Sequence, residues 1–127
     1  MRLEPLPPLL DAVRQSVQVA TGCEFNSVLC NYYRDGADSM GMHADDEPEL
    51  GAQPAIASLS LGQERILRFQ HRLDKTVPDL RLPLEDGSLL LMSGETQRCW
   101  KHGIAKTRRP CGPRVNLTFR LLLEEAG

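Results

Sequence analysis

The stretch Pro113–Leu123, PRVNLTFRLLL, decides how the rest of the chain is to be read. As a strand it puts Arg114, Asn116, Thr118 and Arg120 on one face and Val115, Leu117, Phe119 and Leu121 on the other, because strand side chains alternate. An edge strand with one wet face has this pattern. So does a strand whose polar face lines a pocket, since two arginines separated by an amide and a hydroxyl suit a small dianion. The remaining residues decide between the two.

Upstream, short apolar runs alternate with turn signals. "FNSVLCNYY" (25–33) reads as a strand closed by the turn "RDGADS". "AIASLSLG" (55–62) and "RILRFQHR" (65–72) read as two more, joined through Gly62 as a hairpin. "LRLPLEDGSLLLMSG" (80–94) reads as a strand, a Glu-Asp-Gly turn and another strand, and "RCWKHGI" (98–104) and "RVNLTFRLLL" (114–123) complete the set. Ahead of them, Pro5–Ala20 is predicted to be one helix, with Leu6, Leu9, Val13 and Val17 at helical spacing and Thr21-Gly22 as its stop. One leading helix and six or seven strands predict a mainly β fold, a β-sandwich or jelly-roll barrel. No repeat or low-complexity linker divides the 127 residues, so a single domain spanning 1–127 is expected.

Apolar residues make up 41% of the chain and charged residues 25%, ordinary values for a soluble globular protein. A net charge of −2 excludes a protein that coats nucleic acid with a uniformly basic surface, but not one with a local basic patch. "MRLEPLPPLL" carries prolines and Glu4 and lacks the apolar run of a signal peptide, and nothing approaches the roughly 18 apolar residues of a membrane span. Cys23, Cys30, Cys99 and Cys111 show no Cys-x-x-Cys spacing and read as reduced thiols. An intracellular protein without a membrane partner is therefore expected, in the cytoplasm, or in the nucleus if eukaryotic.

"GMHADDEPEL" (41–50) is the sharpest local feature. His43 and Asp45 stand two apart, so at a strand end they point the same way and can share one ion. A third ligand must come from His71 or His102. His71 lies in the polar "RFQHRLDK", whereas His102 lies in the apolar "CWKHGI", which favours His102. Two histidines and one carboxylate leave three cis positions open on an octahedral iron, suited to a metal that holds a bidentate cosubstrate and oxygen together. The turn "YRDGADS" fails as a calcium loop, because Gly36 follows Asp35 directly instead of holding the sixth position.

Taken together, "NYYRDGADSMGMHADDEPEL", "AIASLSLG", "RLPLEDGSLLLMSG", "WKHGI" and "PRVNLTFR" resemble the AlkB family of iron(II)- and 2-oxoglutarate-dependent dioxygenases, in its nucleic-acid dealkylase branch, over roughly Phe25–Leu122. The resemblance implies a double-stranded β-helix, a jelly-roll variant. It implies His43, Asp45 and His102 as both catalytic and metal residues. It implies Asn31, Tyr33, Arg114, Asn116, Thr118 and Arg120 around 2-oxoglutarate, with Arg114 on the distal carboxylate. The polar face of the last strand would then point inward. The implied activity uses Fe(II), 2-oxoglutarate and O2 to demethylate N-alkylated bases such as 1-methyladenine and 3-methylcytosine, releasing formaldehyde, succinate and CO2 in alkylation-damage repair.

Asp46 and Glu47 follow the metal carboxylate and are candidates for contacting such a positively charged base. Arg98, Lys101, Lys106, Arg108 and Arg109 form a candidate phosphate-contacting patch, and Trp100 reads as core. Family members carry a longer N-terminal region that forms a lid over the nucleotide, whereas thirty residues precede Asn31 here. Alkylated single-stranded DNA or RNA is therefore the expected partner, with duplex DNA a further option, for a monomeric enzyme. Two alternatives stand: a related oxygenase acting on RNA, protein or a small molecule, and a non-catalytic jelly-roll binding module.

Overall fold

A computed structural model of the chain describes residues 6–123. The helix α1 runs Pro8–Thr21. Its start is later than the sequence pattern predicts because Pro7 takes an extended conformation (φ −53°, ψ 149°), and Pro8 suits a first helical position, where no amide bond is required. Pro5 lies outside the described residues. Gly22 ends the helix at φ 71°, a conformation open to glycine, and its amide donates to the Gln18 carbonyl at 2.8 Å. The buried stripe also differs from expectation. Leu10, Val13 and Val17 face the core while Leu9 is 77% exposed.

Eight strands follow: β1 Ser27–Tyr33, β2 Met40–His43, β3 Ile56–Gly62, β4 Arg65–His71, β5 Leu80–Leu84, β6 Leu89–Met92, β7 Trp100–Ile104 and β8 Arg114–Arg120. They form two four-stranded sheets, β1-β8-β3-β6 and β2-β7-β4-β5, with antiparallel neighbours. Every connection except β4–β5 passes from one sheet to the other, the winding of a jelly roll. The expected hairpin between β3 and β4 is therefore corrected. Gly62, at φ 99°, turns the chain out of the first sheet and into the second. Arg98 and Cys99 belong not to β7 but to a one-turn helix, α2 (Thr96–Cys99).

The last strand is not an edge. β8 pairs along its length with β1, from Ser27↔Arg120 to Tyr33↔Arg114, and on its other side with β3, from Ala57↔Phe119 to Gly62↔Arg114. Its apolar face packs under α1, where Val17, Phe25, Ala57, Leu117 and Phe119 form a buried cluster. The Phe25 and Phe119 rings meet at 6.3 Å, a favourable tilted contact. Gln18 locks the helix to the sheet, its side-chain oxygen accepting from the Phe25 amide at 2.8 Å. With its apolar face committed to this core, the polar face of β8 can only point between the two sheets.

A candidate metal centre facing a buried guanidinium

Between the sheets lies a cavity of about 190 Å³, below the roughly 300–1,000 Å³ of drug-sized pockets and so suited to a small ligand. Its lining includes Asn31, Tyr33, His43, Asp45, His102, Arg114, Asn116, Thr118 and Arg120. Residues separated by as much as 89 positions in sequence are thus brought to one space, the metal candidates from the β2-β7 side and the polar face of β8 from the other.

His43 and His102 are direct cross-strand partners on β2 and β7. Their rings lie 4.5 Å apart, and one ligand atom from each of His43, Asp45 and His102 falls within 4.8 Å of the others. Asp45 sits between the rings, with one carboxylate oxygen 3.9 Å from His43 Nε2 and the other 3.6 Å from His102 Nε2. His43 Nδ1 lies 2.9 Å from the Gly41 carbonyl; donating there leaves Nε2 free to ligate. Burial, reinforced by His43, pushes the pKa of His102 down to about 4, so the ring is neutral and available at physiological pH. His102 is nearly sealed, while His43 keeps 39% of its side chain exposed. The site therefore opens on the His43 side. His71, the competing third histidine, is remote in role: its Nδ1 accepts from the Leu73 and Asp74 amides, and its ring packs edge-on against Trp100.

The two histidines meet because β2 presses unusually close to β7. A Cβ on Gly103 would lie 2.8 Å from the Met40 carbonyl and 2.9 Å from Met42 Sδ, and the pairing register shifts between Met40 and His43. Asp45 is held by a residue the sequence does not advertise. Gln97, 1% exposed on α2, accepts the Asp45 amide through its side-chain oxygen at 2.8 Å.

Across the cavity Arg114 is 1% exposed. Nη2 donates to Ser60 Oγ at 3.0 Å, and Cζ stands 4.9 Å from the centre of the Tyr33 ring. Nε and Nη1 are buried and have no partner among the described residues. Burial holds this guanidinium below its ordinary pKa, and Tyr33 offsets only part of that loss of hydration. A carboxylate would answer both orphaned donors, so the residues lining this cavity fit a 2-oxo dicarboxylate. Beside it Asn116 donates to Ser58 Oγ at 2.6 Å, and Thr118 donates to Asn116 Oδ1 at 2.7 Å. Ser58 and Ser60 are small hydroxyl residues on β3 opposite Thr118 and Asn116, which keeps the interior open.

Asp46 and Glu47 are not drawn into the cavity. Asp46 is exposed and pairs with Arg72 at 3.2 Å; Glu47 is exposed. Of the candidate cationic patch, Lys106 and Arg109 border a separate open groove that Arg68 and Arg81 also line.

Comparison with known proteins agrees with this geometry. A family model described as 2OG-Fe(II) oxygenase superfamily matches residues 1–120. The mouse protein named alpha-ketoglutarate-dependent dioxygenase alkB homolog 3 is 43% identical over 93% of this chain and 45% of its own length. Mouse DNA oxidative demethylase ALKBH2 is 44% identical over 94% of the chain and 53% of its own length. The chain thus spans about half the length of the curated relatives it matches. Among solved structures, OsALKBH1 superposes with a TM-score of 0.68 at 20% identity, covering 91% of this chain and 64% of that one, a likeness of fold.

Proposed function

The chain belongs to the 2OG-Fe(II) oxygenase superfamily, and on that premise we propose that it oxidatively dealkylates N-alkylated bases in DNA or RNA. One observation carries the reading: a His-Asp-His cluster and a buried arginine with two orphaned donors face each other across one small cavity. The name of the mouse relative DNA oxidative demethylase ALKBH2 points to a nucleic-acid substrate.

In this reading His43, Asp45 and His102 hold Fe(II), and Arg114 receives the distal carboxylate of 2-oxoglutarate. When bound, the iron, 2-oxoglutarate and O2 supply the oxidising power that attacks the N-alkyl carbon, with formaldehyde, succinate and CO2 as products. The protein's part is placement and charge. The imidazoles of His43 and His102 would offer lone pairs, and the Asp45 carboxylate would offset part of the metal's charge. Arg114, with Nε and Nη1 unpartnered, would pair with the cosubstrate's carboxylate in a water-poor space where that pairing is strong. Tyr33 flanks the guanidinium, and Asn31, Asn116, Thr118 and Arg120 complete the polar wall.

The alkylated base approaches from the exposed His43 side. Asp46 and Glu47 lie next to the metal carboxylate there and are proposed to favour a cationic base. Lys106 and Arg109, with Arg68 and Arg81 along the same groove, are proposed to contact phosphates. The enzyme is read as an intracellular monomer acting on single strands. Anaerobic addition of Fe(II) and then 2-oxoglutarate should give the visible charge-transfer band of the chelate. A methylated oligonucleotide in air should then release formaldehyde in proportion to succinate. Succinate without oligonucleotide turnover would move the reading to an oxygenase with another substrate; absence of the band would remove it.

A further inference from the structure

The geometry points to Arg65 as a positioning residue for the distal carboxylate, making the cavity selective for a dicarboxylate over a monocarboxylate keto acid. The inference rests on the reading of this cavity as the 2-oxoglutarate site. Arg65 opens β4 on the same face as Leu67 and is only 5% exposed, a charge where the alternation calls for an apolar residue. Its donors are committed to carbonyls. Nη2 donates to Asp38 at 3.0 Å and to Ala105 at 2.8 Å, and Nη1 reaches Asp35 at 3.4 Å. These carbonyls come from the turn after β1 and from the segment after β7, so one side chain ties the two together.

The same guanidinium lies 5.7 Å from the centre of the Tyr33 ring, within cation–π range, while Arg114 lies 4.9 Å from that centre. Tyr33, 5% exposed, is thus shared by two cations. Two effects follow. Arg65 fixes the ring against which the Arg114 fork is set. It also adds a second buried positive charge beside the same ring, outside the cavity lining, where low exposure lets charge act over distance. The nearby Asp38 carboxylate is occupied by Arg34 at 2.9 Å, and Arg65 contacts only the Asp38 carbonyl. Carbonyl partners satisfy the Arg65 hydrogens without cancelling its charge. A keto acid without a distal carboxylate gains nothing from this arrangement.

The test is calorimetric titration of Mn(II)-loaded protein with 2-oxoglutarate and, separately, with pyruvate, which keeps the keto-acid chelate and lacks the distal carboxylate. Arg65→Met should weaken 2-oxoglutarate binding about tenfold and pyruvate binding less than twofold; Arg65→Lys should weaken 2-oxoglutarate about threefold. Unchanged 2-oxoglutarate affinity, or equal loss for both keto acids as a merely structural role gives, would overturn the inference. If Arg65→Met does not fold, the ratio of the two losses in Arg65→Lys decides by the same criterion. Wild-type protein that fails to bind 2-oxoglutarate would instead remove the underlying functional reading, a result distinct from a wild type that binds and a variant that binds equally well.

Discussion

Replacing Arg114 by Met should make the ligand-free protein more stable while destroying its response to 2-oxoglutarate. Each buried donor left without a partner costs about 1–3 kcal/mol, and Arg114 has two, Nε and Nη1. Against that relief stand the bond to Ser60, worth about 1 kcal/mol, and the contact with the Tyr33 ring, worth about 1–2 kcal/mol. Methionine fills most of the volume without a charge. At the midpoints of these ranges the net gain is about 1.5 kcal/mol, or a melting temperature raised by about 6 °C in a domain of this size. Wild-type protein with Mn(II) should gain about 2.7 kcal/mol from 2-oxoglutarate at a hundred times its Kd. The variant should gain almost none at the same concentration. Thermal unfolding followed by circular dichroism, with and without the keto acid, measures both quantities. A variant that melts below wild type without ligand would show that the guanidinium is already satisfied. A variant still stabilised as far as wild type would show that the anion binds elsewhere.

Gln97→Met removes the acceptor for the Asp45 amide and should weaken Co(II) binding about 10–100-fold with little change in far-ultraviolet dichroism; unchanged affinity in a spectrophotometric titration would contradict that role. Gly103→Ala forces a methyl group against β2 and should destabilise the fold by about 1–3 kcal/mol in urea, with metal affinity lost alongside; a wild-type urea midpoint would show that β2 can move away freely. In chelator-treated protein His102 stays neutral when folded down to about pH 4, whereas the unfolded chain protonates it near pH 6.5. The unfolded state therefore binds more protons between those values, so stability rises with pH there and is lost on acidification, by at most about 3 kcal/mol. Urea midpoints at pH 7 and pH 4.5 should show the loss, and His102→Gln should reduce it.

The alternation in Arg114–Arg120 was legible because both its faces are used: one is core and the other lines the cavity. The His43–Asp45 pair and the apolar setting of His102 were legible for the same local reason. Strand β2 was not, since four residues with a glycine at the second position show no alternation to read. Gly62 signalled a turn, but a turn does not state whether the next strand joins the same sheet; that choice depends on distant partners. Leu9 and Leu10 both fit helical spacing with Val13 and Val17, and packing alone chose Leu10. Gln97 hid because its partner is a backbone amide 52 positions away. Arg65 left a signal, a charge in phase with Leu67 on a buried face, as did Ser58 and Ser60 in phase with Ile56.

The placement of β8 between β1 and β3 bears on how the molecule is made. β1 has no neighbour in its sheet until β8 arrives, so that sheet closes only after all eight strands have been made. Contacts so distant in sequence imply slow folding, and a nascent chain that meanwhile exposes unpaired strand edges to chaperones or to aggregation. The strand that carries Arg114 is also the one whose arrival completes the sheet, so acquisition of the anion seat and commitment to the native topology should occur as one kinetic event.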